Sequence, residues 1–409
     1  MKVLHTADWH IGRSLYGHKR YTEFEAFLDW LVQVIIDEKT DALLVAGDIF
    51  DSSAPSNRSQ ELYYRFLCKV AGSHCRHVVV TSGNHDSPSF LNAPKELLRF
   101  LNVHVVGAVP ENIEDEVIVL SDPEGNPELI VCAVPYLRDR DIRIAESGES
   151  LEEKDQKLIN GMRNHYQQAC EQAEKIKSEL NKNIPIVAMG HLFVAGGKTI
   201  EGDGVRELYV GSLAHVGSDI FPECIDYLAL GHLHVPQVVY GNEAMRYSGS
   251  PLHMGFGEAS QEKSLCVVNF STPSLSIELV KVPVFQELFR LRGDWEKISQ
   301  GLVELSQLEE SVWLEVVYEG EEIKANLREK LEESIVDTEI KILRVKNTRI
   351  IERVLSSTKT EETLDDLNVD DVFMRCLDHH EIPLEQRNEL LSAYQETITS
   401  VMEADKKAE

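Results

Sequence analysis

Five short apolar runs recur along the first part of the chain, and each of them stops at a cluster of polar residues. Runs of this length that are rich in Val, Leu and Ile and bounded by glycine or polar residues are typical of buried strands. A sheet built from them would deliver the polar residues that follow into one crevice. The runs are Lys2–Thr6, Ala42–Ala46, His77–Thr81, Ile184–Met189 and Tyr227–Leu230.

Amphipathic segments lie between these runs. Tyr21–Glu38 carries apolar residues at helical spacing, and Gln60–Val70 and Ala93–Leu101 have the same pattern. A further helix is predicted from about Leu151 to Leu180. Because strands alternate with helices, the sequence predicts an α/β layered domain. Four shorter runs after His234 predict an antiparallel meander that extends the sheets: Gln237–Tyr240, Met245–Ser248, Leu265–Phe270 and Leu275–Val282.

A shift in composition at Pro283 predicts a separate small domain after it. Alternating strand and helix patterns there indicate a βαβαβ unit. Its predicted strands are Gln286–Leu291, Trp313–Tyr318 and Glu339–Val345, and its predicted helices are Trp295–Leu308 and Ile323–Ile335. From about Thr348 the chain is charged and helical, with narrow apolar faces that suit docking on a partner. The predicted domains are therefore 1–282, 283–347 and 348–409.

The polar residues after the strands have the chemistry of a metal site. A carboxylate can bridge two ions, and Asp48 follows its strand closely enough to do so. Mixed nitrogen and oxygen donors suit Mn, Fe, Zn or Ni better than Mg or Ca. Any single cluster is a weak signal, but all of them in order behind strands are specific. The candidate ligands are Asp8, His10, Asp48, Asn84, His191, His232 and His234, and His85 is a candidate acid or phosphate contact.

The bulk properties limit the classes of protein. The formal net charge of −28 is unusual for a protein that binds nucleic acid by itself, so metal ions, a local basic face or a partner would have to supply positive potential. Seven cysteines without C-x-x-C spacing suggest reduced thiols and a cytoplasmic location. No apolar stretch has the length of a membrane span, and the first motif leaves no room for a signal peptide, so no membrane association is expected.

The clusters resemble the motif set of the calcineurin-like metallophosphoesterases. Longer segments are similar to one branch of them, the SbcD family, which supplies the nuclease subunit of bacterial SbcCD complexes. These segments are Leu4–Gly12, Ala26–Leu31, Val45–Asp51, Pro135–Arg138, Tyr247–Pro251 and Glu362–Phe373. The resemblance implies a metallophosphoesterase β-sandwich flanked by helices, then a small βαβαβ capping domain and C-terminal helices.

The resemblance also implies a role for each site residue. One divalent ion would be held by Asp8, His10, Asp48 and His234, and the other by Asp48, Asn84, His191 and His232. His85 falls on the family's catalytic histidine, which contacts the scissile phosphate. Asp51 occupies a position at which archaeal relatives carry a second histidine. Asp51 and Asp86 are expected beside the ligands without binding the ions themselves.

The family's function gives further expectations. Its members use two Mn²⁺ ions and cut DNA, as an exonuclease on double-stranded ends and an endonuclease on hairpin or single-stranded DNA, in repair, replication and recombination. They form a homodimer through the nuclease domain. Their C-terminal helices pack at the base of the coiled coil of an ABC-type ATPase, SbcC, within a heterotetramer. Such a partner would also supply the positive potential that this acidic chain lacks.

Two other functions remain open from the residues. The chain could be a phosphoesterase of the same superfamily that acts on a cyclic nucleotide, a nucleotide or a phosphoprotein, which its acidity favours. The small domain and the C-terminal helices count against this reading, because small substrates need neither. It could also be a non-catalytic scaffold that binds a coiled coil. A scaffold would not need the full set of ligands that this sequence retains.

Overall fold

The computed structural model describes residues 1–143, 150–194, 197, 216–271, 274–308, 310–320, 327–347 and six single positions from Phe373 to Tyr394. The C-terminal helices predicted for 348–409 lie outside these residues, apart from those six positions. The chain divides into two compact units, Met1–Phe285 and Gln286–Glu409. Among the described residues, no helix has the length and apolar character needed to cross a bilayer.

The first unit contains two six-stranded mixed sheets. The first sheet has the order β14-β13-β1-β4-β5-β6, in which β1, β4, β5 and β6 are parallel and β13 and β14 are antiparallel neighbours. Its strands are β1 (Lys2–Thr6), β4 (Ala42–Ala46), β5 (His77–Thr81), β6 (Val103–Val106), β13 (Ser264–Ser271) and β14 (Ser274–Lys281). A separate two-stranded hairpin consists of β2 (Ser14–Leu15) and β3 (His18–Lys19).

The second sheet has the order β11-β12-β10-β9-β8-β7. Its strands are β7 (Val117–Ser121), β8 (Pro127–Ala133), β9 (Ile186–His191), β10 (Tyr227–Gly231), β11 (Gln237–Val239) and β12 (Asn242–Tyr247). The predicted meander is wrong in one respect. The four late strands form two hairpins, one in each sheet, and β12 runs parallel to β10. A local pattern cannot give the direction of this pairing, because β12 meets β10 only through long-range contacts.

Helices cover the outer faces of the two sheets. They are α1 (Tyr21–Asp37), α2 (Asn57–Ala71), α3 (Pro88–Asn92), α4 (Lys95–Arg99), α5 (Asp139–Ile142) and α6 (Leu151–Glu179). Alternate residues of β1 point to opposite faces, so that Leu4 packs with α1 and α2 while Val3 packs between the sheets, in a cluster that includes Leu129 and Met189. The helices and sheets therefore form four layers, as predicted for a helix-flanked sandwich.

The second unit contains a parallel three-stranded sheet with the order β15-β16-β17. Its elements follow one another as β15 (Glu287–Gly293), α7 (Trp295–Leu305), β16 (Val312–Tyr318), α8 (Leu327–Ser334) and β17 (Ile340–Asn347). Apolar faces of both helices pack on the sheet through residues such as Leu302 and Leu331. This is the predicted βαβαβ arrangement, with α8 beginning after residues 321–326, which are not among those described.

Candidate metal centre

The polar clusters meet at one edge of the sandwich, because each of them follows a strand of the parallel parts of the two sheets. Backbone contacts tie neighbouring strand ends together, with the amides of Asp8 and His10 donating to the carbonyl oxygens of Gly47 and Asp48 at 3.0 and 2.9 Å. Four site residues adopt positive φ: Asp8, His10, Asp48 and His232. Such strain costs about 1–3 kcal/mol per residue and is typical of functional sites.

Glycine allows the two sheets to approach each other at this edge. A Cβ on Gly231 would lie 1.9 Å from the carbonyl oxygen of Ala46, which belongs to the other sheet. Gly47 has a φ of +82°, and a Cβ there would lie 2.3 Å from Nδ1 of His191. Any side chain at either position would push the two halves of the site apart.

The structure brings all of the predicted metal ligands together. His10 and His234 place their Nε2 atoms 3.2 Å apart. The Oδ1 atom of Asn84 is 3.0 Å from Nε2 of His191 and 3.0 Å from Nδ1 of His232. Further groups with ligand atoms within 4.8 Å of one another are Asp8, His10 and His234; Asp8, Asp48 and His191; and His10, Asp51 and His85.

Asp48 lies between two subsets of these ligands. Its Oδ2 atom is 3.5 Å from Nε2 of His10 on one side and 3.3 Å from Nε2 of His191 on the other. Its Oδ1 atom accepts the backbone N–H of His85 at 2.9 Å. The Asp48 carboxylate is therefore close enough to share an ion with His10 and an ion with His191.

The donor set fits divalent cations. Ligands at right angles around an ion, with bonds of about 2.1 Å, are separated by about 3 Å, which is the spacing of the imidazole and amide atoms here. The carboxylates of Asp8 and Asp48 are fully buried, and buried carboxylates need a compensating positive charge. Imidazole nitrogens facing each other are better satisfied by a shared cation than by each other, since two unprotonated nitrogens repel.

Burial tunes the protonation of the site. It lowers the pKa of His10 to about 4 and that of His232 to about 3, so both imidazoles are neutral at pH 7, the form that binds metal ions. Burial also raises the pKa of Asp8 to about 6. Burial alone would raise the pKa of Asp48 and lower that of His191. The contact between the two residues has the opposite effect: it lowers the pKa of Asp48 and raises that of His191 to about 9. A cation bound here would compensate the charge of the Asp48 carboxylate in place of the proton on His191.

Oxygen atoms lie behind three of the imidazoles, and one of these contacts is a hydrogen bond. Nδ1 of His191 donates to the carbonyl oxygen of Ala46 at 3.0 Å, since a carbonyl can only accept. Nδ1 of His10 faces Oδ1 of Asp51 at 3.5 Å, and Nδ1 of His234 faces Oε1 of Glu258 at 3.8 Å. Each ring therefore turns its Nε2 atom into the centre.

Glu258 was not predicted from the sequence, nor was Lys263, which pairs with it. Oε2 of Glu258 is 2.6 Å from Nζ of Lys263, and both side chains are buried. A glutamate followed five positions later by a lysine is ordinary for a solvated loop. The contact with His234 spans a long stretch of chain, so the sequence offers no local signal for it.

His85 lies beside the ligands and is only half-buried. Its Nδ1 atom donates to the main-chain carbonyl oxygen of Asp51 at 2.9 Å. Its ring stands edge-on to that of His10, with 4.8 Å between the ring centroids. Because Nδ1 is committed to a carbonyl, Nε2 is the nitrogen that can meet a substrate.

Asp86 and Asp51 lie beside the candidate ligands. The buried carboxylate of Asp86 accepts three backbone N–H groups, from Ile49, Phe50 and Gly83, at 2.9–3.1 Å. It therefore ties the loop that carries Asp48 to the loop that carries His85. The Asp51 carboxylate contacts Nη1 of Arg13 at 3.1 Å as well as His10. Burial alone would raise the pKa of Asp51, but the contact with His10 lowers that pKa to about 2.

Two family models and several known proteins are similar to this chain. Residues 1–236 match the family model described as calcineurin-like phosphoesterase, and residues 284–381 match the model described as Type 5 capsule protein repressor C-terminal domain, SbcD_C. The SbcD subunit of nuclease SbcCD from Escherichia coli K12 is 35% identical over 97% of this chain and 98% of that protein. The SbcD subunit of the same nuclease from Bacillus subtilis 168 is 36% identical over 66% of each chain.

Among solved structures, a dimetal phosphatase from Danio rerio covers 69% of this chain and 97% of its own, with 12% identity and a TM-score of 0.40. The family is shown by the Escherichia coli relative, which covers nearly the whole chain. Family membership implies a divalent-metal-dependent hydrolase of phosphodiester bonds, and the donor set described above fits it. The chain belongs to the SbcD family of nuclease subunits within the calcineurin-like phosphoesterases.

Proposed function

We propose that this chain is the DNA-cutting subunit of an SbcCD-type complex and that it hydrolyses phosphodiester bonds with two divalent metal ions. The observation that carries the proposal is the position of Asp48, whose carboxylate lies within 3.5 Å of His10 on one side and of His191 on the other. A bridging carboxylate between two ligand sets is the arrangement that a two-ion phosphodiesterase needs. The names of the full-length relatives support the assignment to a nuclease.

The ligands divide between two ions in the proposed site. Asp8, His10, Asp48 and His234 would hold one ion, and Asp48, Asn84, His191 and His232 would hold the other. Contacts within each set support this division, namely 3.2 Å between His10 and His234 and 3.0 Å from Asn84 to each of its two histidines. Mn²⁺ suits the mixed nitrogen and oxygen donors and is the metal that the family resemblance implies.

The chain's own residues then perform the remaining chemistry. Ions bound there would supply Lewis acidity, which lowers the pKa of water and offsets the negative charge of the phosphate. His85 would meet the scissile phosphate through Nε2, because its Nδ1 is held by Asp51. A proton on that Nε2 would pass to the departing oxygen of the cleaved strand. Asp86 would maintain the distance between His85 and Asp48 by holding both of their loops.

The proposed substrate is DNA, cut as an exonuclease on double-stranded ends and as an endonuclease on hairpin or single-stranded DNA, during repair, replication and recombination. Residues 1–282 would form the nuclease domain, 283–347 the capping and DNA-binding domain, and 348–409 the helices that dock on an SbcC-type ATPase. The net charge of −28 supports a role for this partner, because the chain alone has a poor electrostatic balance for binding DNA.

A homodimer is also proposed, within a heterotetramer with the ATPase. Three apolar side chains lie close together on α4 and just after it with large exposed fractions: Leu97 at 70%, Phe100 at 88% and Leu101 at 38%. Exposed apolar residues that cluster in this way are typical of association surfaces. They lie in the segment that follows the loop of His85 along the chain.

The function is tested by comparing two substrates with purified full-length protein and Mn²⁺. An end-labelled hairpin DNA and bis(p-nitrophenyl) phosphate are supplied separately, with and without the ATPase and ATP. We expect cleavage of the hairpin that increases with the partner. Efficient hydrolysis of the small ester together with an intact hairpin under every condition would favour the small-substrate phosphoesterase instead.

A further inference from the structure

A buried ion pair lies directly behind His234. Glu258 and Lys263 are both within a few percent of complete burial, and Oε2 of Glu258 accepts from Nζ of Lys263 at 2.6 Å. The same Oε2 atom accepts the backbone N–H of Met254 at 3.0 Å. The other oxygen, Oε1, is buried, makes no conventional hydrogen bond, and faces Nδ1 of His234 at 3.8 Å. One carboxylate oxygen is therefore anchored, and the other is directed at the ring.

The ammonium group of Lys263 holds more than the carboxylate. Its Nζ atom donates to the carbonyl oxygen of His234 at 2.9 Å and to Oγ of Ser250 at 3.1 Å. Together with Glu258, these contacts use the three hydrogens that an ammonium group carries. Ser250 also contacts the main chain of His234, because its backbone N–H donates to the carbonyl oxygen of His234 at 3.1 Å. Lys263 thus links the main chain of His234 to the carboxylate that faces its ring.

We propose that Glu258 and Lys263 are positioning residues that fix the tautomer and ring orientation of His234, so that its Nε2 atom is unprotonated and faces the metal centre. This rests on the proposed function, in that His234 is taken as a metal ligand. A carboxylate can only accept, so the carboxylate that faces Nδ1 at 3.8 Å favours the tautomer that carries the proton on Nδ1. Nε2 then keeps its lone pair for the ion, at the place where it already lies 3.2 Å from Nε2 of His10.

Burial of the pair argues against a purely structural function. A buried ion pair is seldom a net source of stability, because desolvation of both charges offsets their attraction. Another buried carboxylate that pairs with a histidine is that of Glu116, whose Oε2 lies 2.8 Å from Nε2 of His165. That pair is distant in sequence from every proposed ligand. It provides a matched control for the loss of a buried carboxylate.

The decisive variant is Glu258→Gln in the full-length protein. Lys263 and Met254 both require an acceptor, so the amide oxygen is expected to take the place of Oε2 and the NH₂ group to face Nδ1 of His234. The ring would then have to accept at Nδ1 and carry its proton on Nε2, which removes the lone pair from the metal side. We expect Mn²⁺, titrated by calorimetry, to bind about 10–100-fold more weakly at one of two sites.

Two controls accompany this titration. Glu116→Gln is expected to lower the thermal unfolding temperature while leaving both Mn²⁺ affinities unchanged. Glu262→Gln removes an exposed carboxylate that pairs with Lys281 and should change neither quantity. Unchanged Mn²⁺ affinities at both sites in a folded Glu258→Gln protein would overturn the proposal. If wild-type protein binds two ions but cuts no DNA, the proposed function fails while the positioning of His234 stands.

If Glu258→Gln does not fold, a second measurement tests the tautomer of His234 directly. Histidine labelled with ¹⁵N reports the protonated nitrogen of each neutral ring in the metal-free wild-type protein. The signal of His234 is assigned by its loss in a His234→Gln variant, and spectra are recorded above pH 8. We expect the proton on Nδ1. A proton on Nε2 would overturn the proposal.

Discussion

His85 donates from Nδ1 to the main-chain carbonyl oxygen of Asp51, at 2.9 Å, whereas the Asp51 carboxylate faces His10 and Arg13 instead. One residue therefore supports two histidines by different groups. The carbonyl orients the histidine proposed to meet the phosphate, and the carboxylate lies behind a proposed ligand. Substitution of the Asp51 side chain should separate these two contributions, because it leaves the carbonyl in place.

Asp51→Asn is expected to weaken Mn²⁺ binding and to preserve turnover at saturating metal. The amide loses the negative charge behind His10, which should cost about tenfold in affinity for one ion. His85 stays hydrogen-bonded to the unchanged carbonyl. Mn²⁺ affinity and kcat at saturating Mn²⁺ are measured side by side. A loss of kcat that excess Mn²⁺ does not restore would contradict this division of roles.

Asp48→Ala is expected to be the most severe single substitution at the centre. It removes the carboxylate between His10 and His191 and also the acceptor of the backbone N–H of His85. Without the shared carboxylate, two ions would repel each other, so at most one should remain. Bound metal per chain and nuclease activity are determined on the same preparation. Near-normal cleavage by this variant would end the two-ion assignment.

Buried His5 should make stability depend on pH. Burial lowers its pKa to about 3, and its Nδ1 lies 2.9 Å from the hydroxyl oxygen of Tyr227. An unfolded histidine titrates near 6.5, so between these values the unfolded state binds a proton that the folded state excludes. The stabilising contribution is therefore complete above pH 6.5 and is lost as the pH falls, by about 2 kcal/mol at pH 5.

His5→Gln should reduce this dependence, since glutamine does not titrate. Thermal unfolding of metal-free wild-type and variant proteins is compared between pH 7 and pH 5. We expect the wild-type unfolding temperature to fall more steeply than that of the variant. Parallel curves would show that His5 does not exclude a proton in the folded state.

Phe100→Glu is expected to dissociate the proposed homodimer. The ring is 88% exposed and lies beside Leu97 and Leu101, so a charge there would be buried only when two copies associate. Light scattering on the full-length protein should give the mass of one chain for the variant and of two for the wild type. Val303→Glu, on α7 of the second unit and 60% exposed, is the matched control and should remain dimeric. A dimeric Phe100→Glu protein would exclude this surface as the interface.

The fold and the assembly of the centre could be predicted because both depend on strong local patterns. Lys2–Thr6, Ala42–Ala46 and His77–Thr81 are continuous apolar runs, and the observed strands have the same bounds. The residues just after them had to share one edge of the sandwich once those strands paired in parallel. The approach of the sheets at Gly231 then brings the two groups of histidines together.

What the sequence could not predict depends on contacts between distant residues. The carbonyl of Asp51 that orients His85 is main chain, so no residue type signals it. Glu258 and Lys263 resemble surface residues until the loops that carry them fold against His234. The parallel pairing of β12 with β10 has the same origin, because strand direction is set by where a segment packs and not by its own pattern.

We propose that this centre cuts DNA with two metal ions and that His85 acts on the phosphate. The most direct test is cleavage of an end-labelled hairpin by wild-type and His85→Gln proteins in Mn²⁺, with bound metal counted in both. We expect cleavage and two ions in the wild type, and two ions with about 10²–10⁴-fold slower cleavage in the variant. Equal rates in the two proteins, or metal lost along with activity in His85→Gln, would contradict the account.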